Sequence, residues 1–192
     1  TEVRMLVMKL NLGCGNNKLE GYLNVDSQQL CAPDQVVDLE VFPWPFEDNS
    51  VDEIVMSHVL EHLGETKEVY LAIIKELYRI CQADAEIRIN VPHPRHDEFI
   101  IDPTHVRPIL PEQFHLFSKR LNAEWREAGY ANTPLADYID VDFEVEDVQW
   151  VLADDMLEKL QSGEISSDDL ATRAQHEYNI LKEIQIKLRV VK

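Results

Sequence analysis

Short apolar runs separated by turn signals dominate the first half of the chain. Met5 to Leu12 is mostly apolar and ends in Gly13-Cys14-Gly15, the pattern of a buried strand entering a tight loop. Further runs at Tyr22 to Val25, Gln35 to Leu39, Val51 to Met56 and Ala85 to Val91 predict four more strands. Between the last two the period changes. Val69, Ile73, Leu77 and Ile80 recur at helical spacing, and Ile74, Tyr78 and Cys81 widen the stripe, so Glu68 to Cys81 is expected to be a helix packed on a sheet. Strands alternating with helical segments point to an α/β fold with a mainly parallel sheet.

The last third follows a period of two. Ile139, Val141, Phe143 and Val145 alternate with Asp140, Asp142, Glu144 and Glu146, a strand with one buried and one wet face. Ile184, Ile186, Leu188 and Val190 alternate with Gln185, Lys187 and Arg189, predicting a final antiparallel strand at the carboxyl terminus. Leu110 to Phe114 is expected to open a helix running through Leu121 to Trp125, with Pro111 in its first turn. Ser166 or Ser167 can cap another, with Asp168 and Asp169 in its first turn and Leu170, Ala174, Tyr178 and Leu181 as its stripe. The expected organisation is one domain over 1–192 with an acidic helical insert at about 153–182. That insert covers the active site, makes a subunit contact, or is surface decoration.

Charge narrows the partners. The 36 acidic and 18 basic residues give a formal charge of -18, a surface that repels a phosphate backbone, so nucleic acid is not the expected partner. Three cysteines, Cys14, Cys31 and Cys81, without CxxC pairing argue against a disulfide framework or a structural zinc site. No apolar run approaches the ~20 residues of a membrane span, and a cytoplasmic location without a membrane partner is expected. A homo-oligomer stays open.

In an open parallel sheet, ligands bind at the carboxyl ends of the strands where strand order reverses. Gly13 and Gly15 allow close backbone approach there. Asp26 ends the second strand, where a carboxylate can accept hydrogen bonds from a ribose diol or else cap Ser27 to Leu30. Asp38-Leu39 and the stretch Val51 to Leu63 reach the same edge. Lys9-Leu10-Asn11-Leu12-Gly13-Cys14-Gly15, Tyr22-Leu23-Asn24-Val25-Asp26, and Phe46 to Ile54 with Ser57-His58-Val59-Leu60-Glu61-His62 together resemble class I S-adenosylmethionine-dependent methyltransferases, most closely small bacterial enzymes encoded near polysaccharide or natural-product genes. The resemblance implies a Rossmann-like fold and S-adenosylmethionine as cofactor. It places Gly13, Cys14 and Gly15 at the amino-acid part of the cofactor, Asp26 at the ribose, Asp38 and Leu39 at the adenine, and Ser57 and His58 near the sulfonium. Asn11 stands where the family usually has an acid, so contact to the cofactor's ammonium group is expected to be weaker or supplied elsewhere. Only ten residues separate Gly15 from Asp26, which forces the usual crossover helix down to a turn.

The acceptor side is expected in the loop after the fifth strand, Val91 to Arg107. Histidine suits a base near neutral pH. His105, beside Asp102, is the first candidate and His93 the second, with turn-capping as the alternative role for each. His93, His96, Asp97, Asp102 and His105 include metal-ligating types but no tight spacing motif, and no metal site is assigned. His62 is read as holding its loop to the next helix. Phe42, Trp44 and Phe46 either wall the adenine pocket or pack the core. The stretch Met56-Ser57-His58-Val59 lacks the Asn/Asp-Pro-Pro-Tyr type of motif of nucleic-acid amino-methyltransferases. As a member of the resembled family the protein is expected to O-methylate a saccharide or other small metabolite, and the alternative is a cofactor-binding sensor or subunit without transfer activity.

Overall fold

The computed structural model describes residues 8–192. Residues 1–7, including the start of the first expected strand, lie outside the described residues. Among the described residues seven strands form one sheet: β1 (Met8–Leu12), β2 (Leu23–Asp26), β3 (Gln35–Val36), β4 (Val51–Ser57), β5 (Cys81–Pro92), β6 (Phe143–Leu152) and β7 (Leu181–Val190), in the order β3-β2-β1-β4-β5-β7-β6. The first five pair in parallel, while β7 runs antiparallel to both β5 and β6. The chain steps outward from β1 to β3 and returns on the other side at β4. Strand order thus reverses between β1 and β4, which opens a crevice at their carboxyl ends.

Helix α1 (Lys67–Ile80) links β4 to β5, and its cap is Thr66, whose hydroxyl accepts from the Val69 N–H at 3.3 Å. No helix joins β1 to β2, as the ten-residue spacing requires. Four short helices lie between β5 and β6: α2 (Asp97–Ile100), α3 (Pro111–His115), α4 (Lys119–Glu127) and α5 (Leu135–Ile139). Two more, α6 (Asp154–Ser162) and α7 (Ser167–His176), form the acidic insert between β6 and β7 around a small core of Ala153, Met156, Leu170 and Ile180.

The main core lies on one face of the sheet. Leu10, Leu12, Ile54, Met56, Ile87, Ile89, Ile186 and Leu188 pack with Ile73, Ile74 and Leu77 of α1 and with Phe114 and Phe117. Alternate residues on the same strands point the other way. There Lys9 bridges to Glu53 at 2.6 Å, Glu53 pairs with Arg88, Arg88 bridges to Glu86 at 2.6 Å, and Glu86 reaches Lys187 at 2.6 Å. Glu53 is buried, but its partners Lys9 and Arg88 are 40% and 50% exposed, and pairs open to solvent at one end contribute about 0–1 kcal/mol each, so this face owes its order to the apolar face behind it.

Several expectations change. Ile139 ends α5 instead of facing inward from a strand, and the strand starts at Phe143 and runs on to Leu152. An irregularity between Val145 and Asp147 resets its alternation, which hides its second half from a period-two reading. The helix expected from Leu110 to Trp125 breaks in two because the Ser118 hydroxyl accepts from the Leu121 N–H and starts α4 anew. In the insert Ser166 is the cap, but Tyr178 lies beyond the helix, 58% exposed, and Leu181 opens β7. Trp44 and Phe46 are core residues, with the Trp44 indole donating to the Leu39 carbonyl at 3.1 Å.

Candidate active site

The crevice at the switch point is a cleft of about 200 Å³, with Gly13, Asp26, Asp38, Leu39, His58 and His62 among its walls. Its floor is set by two glycines with different reasons for being there. Gly13 has φ +68°, and a Cβ on it would sit 2.4 Å from Val59 Cγ2, so both conformation and space exclude a side chain. Gly15 has φ +49° with open space around it, and its N–H donates to Asp26 Oδ2 at 2.8 Å.

Asp26 holds the loop from both sides. Its other oxygen, Oδ1, accepts from the Gln28 N–H at 2.8 Å. Each carboxylate oxygen has a second lone pair left for a ligand in the cleft. The capping role and the ligand-facing role weighed for this residue are therefore compatible. Asp38 also closes a turn, accepting from the Glu40 N–H at 2.9 Å. Asn11 is placed elsewhere: it is 3% exposed, and its amide donates to the Asn17 carbonyl and to Asn24 Oδ1, both at 2.9 Å. It braces the glycine loop from behind and does not line the cleft. Cys14 is also buried behind the loop, and Ser57, the last residue of β4, precedes the cleft wall.

The opposite wall is built from two loops. His58 has φ +55°, a strained left-handed conformation for histidine. Its Nε2 meets Glu183 of β7 at 2.8 Å and its Nδ1 lies 3.6 Å from Glu61. The Glu61 and Glu183 carboxylates raise the His58 pKa above its ordinary value against the opposing effect of burial. The loop after β5 is clamped onto this wall by backbone bonds, with the Val106 and Arg107 N–H groups both donating to the Glu61 carbonyl, at 2.9 and 3.3 Å. The Arg107 guanidinium donates to the Gly64 carbonyl and lies 4.0 Å over the Tyr70 ring.

That clamp brings His105 against His62, with ring centroids 4.5 Å apart. His105 Nδ1 bonds the Phe99 carbonyl at 2.8 Å and so must carry its proton, leaving the lone pair on Nε2. Asp102 Oδ2 is 3.8 Å from that Nε2.

His93, the second candidate base, lines a different cavity of about 620 Å³ with Arg95, Leu110, Trp150 and Gln175 of the insert. Its Nδ1 accepts from the Arg95 N–H at 3.1 Å, and burial, aided by Arg95 and His96, lowers its pKa to about 4. The unfolded chain then binds a proton below about pH 6.5 that the folded chain refuses until about pH 4. Stability should be full above pH 6.5 and fall by on the order of 3 kcal/mol as pH drops toward 4. His93→Gln should flatten that acid limb in urea titrations at stepped pH, and an unchanged limb would show that other groups carry it. His96 caps α2 by accepting from the Glu98 N–H at 3.2 Å, so the loop histidines and carboxylates do not gather at one point.

Three residues on this wall were missed in the sequence. Glu61 was legible only as part of the Glu61-His62 pair, while Glu183 and Thr104 carry no local signal.

The sequence profile of the family described as "Methyltransferase domain" matches residues 10–89, from β1 to β5. No curated protein matches. Among solved structures, a SAM-dependent methyltransferase from Archaeoglobus fulgidus aligns over 95% of this chain and 86% of its own, with TM-score 0.63 and 19% identity. A S-adenosylmethionine-dependent methyltransferase from Mesorhizobium loti aligns over 96% and 91%, with TM-score 0.53 and 16% identity. The [4+2]-cyclase SpnF aligns over 96% and 74%, with TM-score 0.54 and 16% identity. At these identities the structures establish the fold. The family match spans the cleft-forming strands, residues 10–89, and the fold as a whole is the one seen in S-adenosylmethionine-dependent methyltransferases, which supports S-adenosylmethionine as the ligand of the cleft. Among the described residues no helix is long and apolar enough to cross a membrane.

Proposed function

We propose that the protein transfers a methyl group to a hydroxyl oxygen of a saccharide or other small metabolite, with the cofactor held by Gly13, Gly15, Asp26, Asp38 and Leu39. The observation that carries this is the pairing of two unlike walls across one cleft. One wall offers carboxylates with spare lone pairs to a diol, and the other offers imidazoles to an acceptor. S-adenosylmethionine supplies a methyl group already activated by its sulfonium. The chain has to align the acceptor and relieve it of a proton. His105 is assigned that proton, because its Nε2 lone pair is free and its ring packs on His62 of the cleft wall; His93 sits in the other cavity and is a weaker base. The second cavity and the cleft are both tied to β7, since Leu181 lines the one and Glu183 holds His58 of the other, and we assign the body of the acceptor to the second cavity. We take residues 8–192 as one methyltransferase domain with α6 and α7 as an insert over the acceptor loop, where Asn179 N–H donates to the Arg95 carbonyl at 2.9 Å.

The experiment is incubation with methyl-labelled S-adenosylmethionine and a panel of hydroxyl, amine and thiol acceptors. Label entering hydroxyl acceptors alone, with S-adenosylhomocysteine formed in equal amount, is the expected result. Cofactor binding with no transfer to any acceptor class would favour the sensor or subunit reading instead.

A further inference from the structure

Glu61 lies between the cleft residues His58 and His62, buried behind the lining and without a hydrogen bond to its side chain. It is 1% exposed, and both carboxylate oxygens lack a hydrogen-bond partner. A buried carboxylate in that state is costly unless something positive completes it. His58 Nδ1 lies 3.6 Å from Glu61, beyond hydrogen-bond distance, and the ring is held through its Nε2 by Glu183 at 2.8 Å.

Two imidazoles stand next to this carboxylate with their tautomers fixed. Thr104 Oγ1 donates to Asp102 at 2.6 Å, so at 2.9 Å from His62 Nδ1 it must accept the proton that nitrogen carries. His105 Nδ1 donates to the Phe99 carbonyl. In both rings the remaining lone pair is therefore on Nε2. One ligating atom from each of Glu61, His62 and His105 lies within 4.8 Å of the other two. A carboxylate and two neutral imidazoles, with each ring oriented through its other nitrogen by a carbonyl or by a hydroxyl-carboxylate relay, form a ligand set with its supporting contacts already in place.

We infer that Glu61, His62 and His105 bind a divalent transition cation on the acceptor wall of the cleft. Two nitrogens and one oxygen suit Zn²⁺, Mn²⁺ or Co²⁺ better than Mg²⁺ or Ca²⁺, which prefer oxygen throughout. Three protein ligands leave positions open for water or for an acceptor oxygen. The cation's binding stands on this geometry alone, while its role rests on the O-methylation reading above. In that role His105 would be a ligand in place of a base: the cation would lower the pKa of an acceptor hydroxyl bound to it, and the proton would pass to solvent and not to the imidazole.

The test uses the full chain, stripped with a chelator and titrated with CoCl₂, followed by calorimetry and by visible absorption. The wild type should take up one Co²⁺, and Glu61→Gln and His62→Gln should each weaken uptake at least tenfold. Glu61→Gln, whose side chain lies off the cleft lining, should bind S-adenosylhomocysteine as the wild type does, which shows that the cleft is intact. Without metal, Glu61→Gln should be at least as stable as the wild type, because it removes a buried charge; with Co²⁺ present the order should reverse. Absence of Co²⁺ and Zn²⁺ uptake by the wild type, or wild-type Co²⁺ affinity in Glu61→Gln, would overturn the site. Uptake by a protein that binds no S-adenosylhomocysteine would support the site and count against the cofactor cleft instead.

Discussion

Gly64→Ala should lower stability by about 3 kcal/mol or more and loosen the acceptor wall. Gly64 has φ +71°, and a Cβ there would lie 2.7 Å from Tyr70 Cα and 2.9 Å from its backbone nitrogen. Neither neighbour is a flexible side-chain end, so the turn or the first turns of α1 must move. The same residue is tied on both sides, its N–H donating to Glu40 at 2.7 Å and its carbonyl accepting from Arg107. Displacing it releases the guanidinium that helps to hold the loop after β5, and with it His105. Gly129 is the control, since its φ of +78° carries conformational strain but its surroundings are open. Gly129→Ala should cost about 1 kcal/mol. Denaturant unfolding of both variants checks the difference, and equal losses would show that the Tyr70 contact is not decisive.

His105→Ala should reduce turnover by about 10²- to 10⁴-fold, the range for a positioned proton-transfer group. It should leave S-adenosylhomocysteine affinity within about twofold of wild type. The split follows from placement: the residues assigned to the cofactor descend from β1 to β3, whereas His105 belongs to the loop after β5 and packs on Phe99 and His62. His105 also has its side chain only 8% exposed, so the variant leaves a small void against those rings, and the folding of His105→Ala has to be confirmed by circular dichroism. Retained turnover would remove His105 from the mechanism. A parallel loss of cofactor binding would mean that the two walls are not independent.

The glycine-loop side of the cleft was legible because its signals are local. Gly13, Gly15 and Asp26 each end or follow a short apolar run, and the ten-residue gap between the last two left no room for a helix. The acceptor side was not, because it depends on contacts between distant segments. Nothing near His105 announces that Arg107 will reach Gly64 and Tyr70, or that the Glu61 carbonyl will take two N–H groups from the other loop. His93 and His105 look alike in sequence, each closely preceded by a proline in the same loop, yet one is buried beside Trp150 and the other packs on His62. Asn11 misled for a different reason. An amide in place of an acid read as a weakened ligand contact, when its two N–H groups were needed by Asn17 and Asn24 in the layer beneath. In the fold, the errors at Ile139 and Tyr178 arose where a period-two or helical pattern runs on past the true end of its element.

The central claim is that the cleft between β1 and β4 holds the cofactor through Asp26. Calorimetric titration of S-adenosylhomocysteine into wild type and Asp26→Ala, with the variant's fold checked by circular dichroism, tests it most directly. Saturable binding to the wild type that weakens more than about tenfold in Asp26→Ala, or ~1.4 kcal/mol, is the predicted result. Equal affinity in the two proteins, or no binding to the wild type, would contradict it.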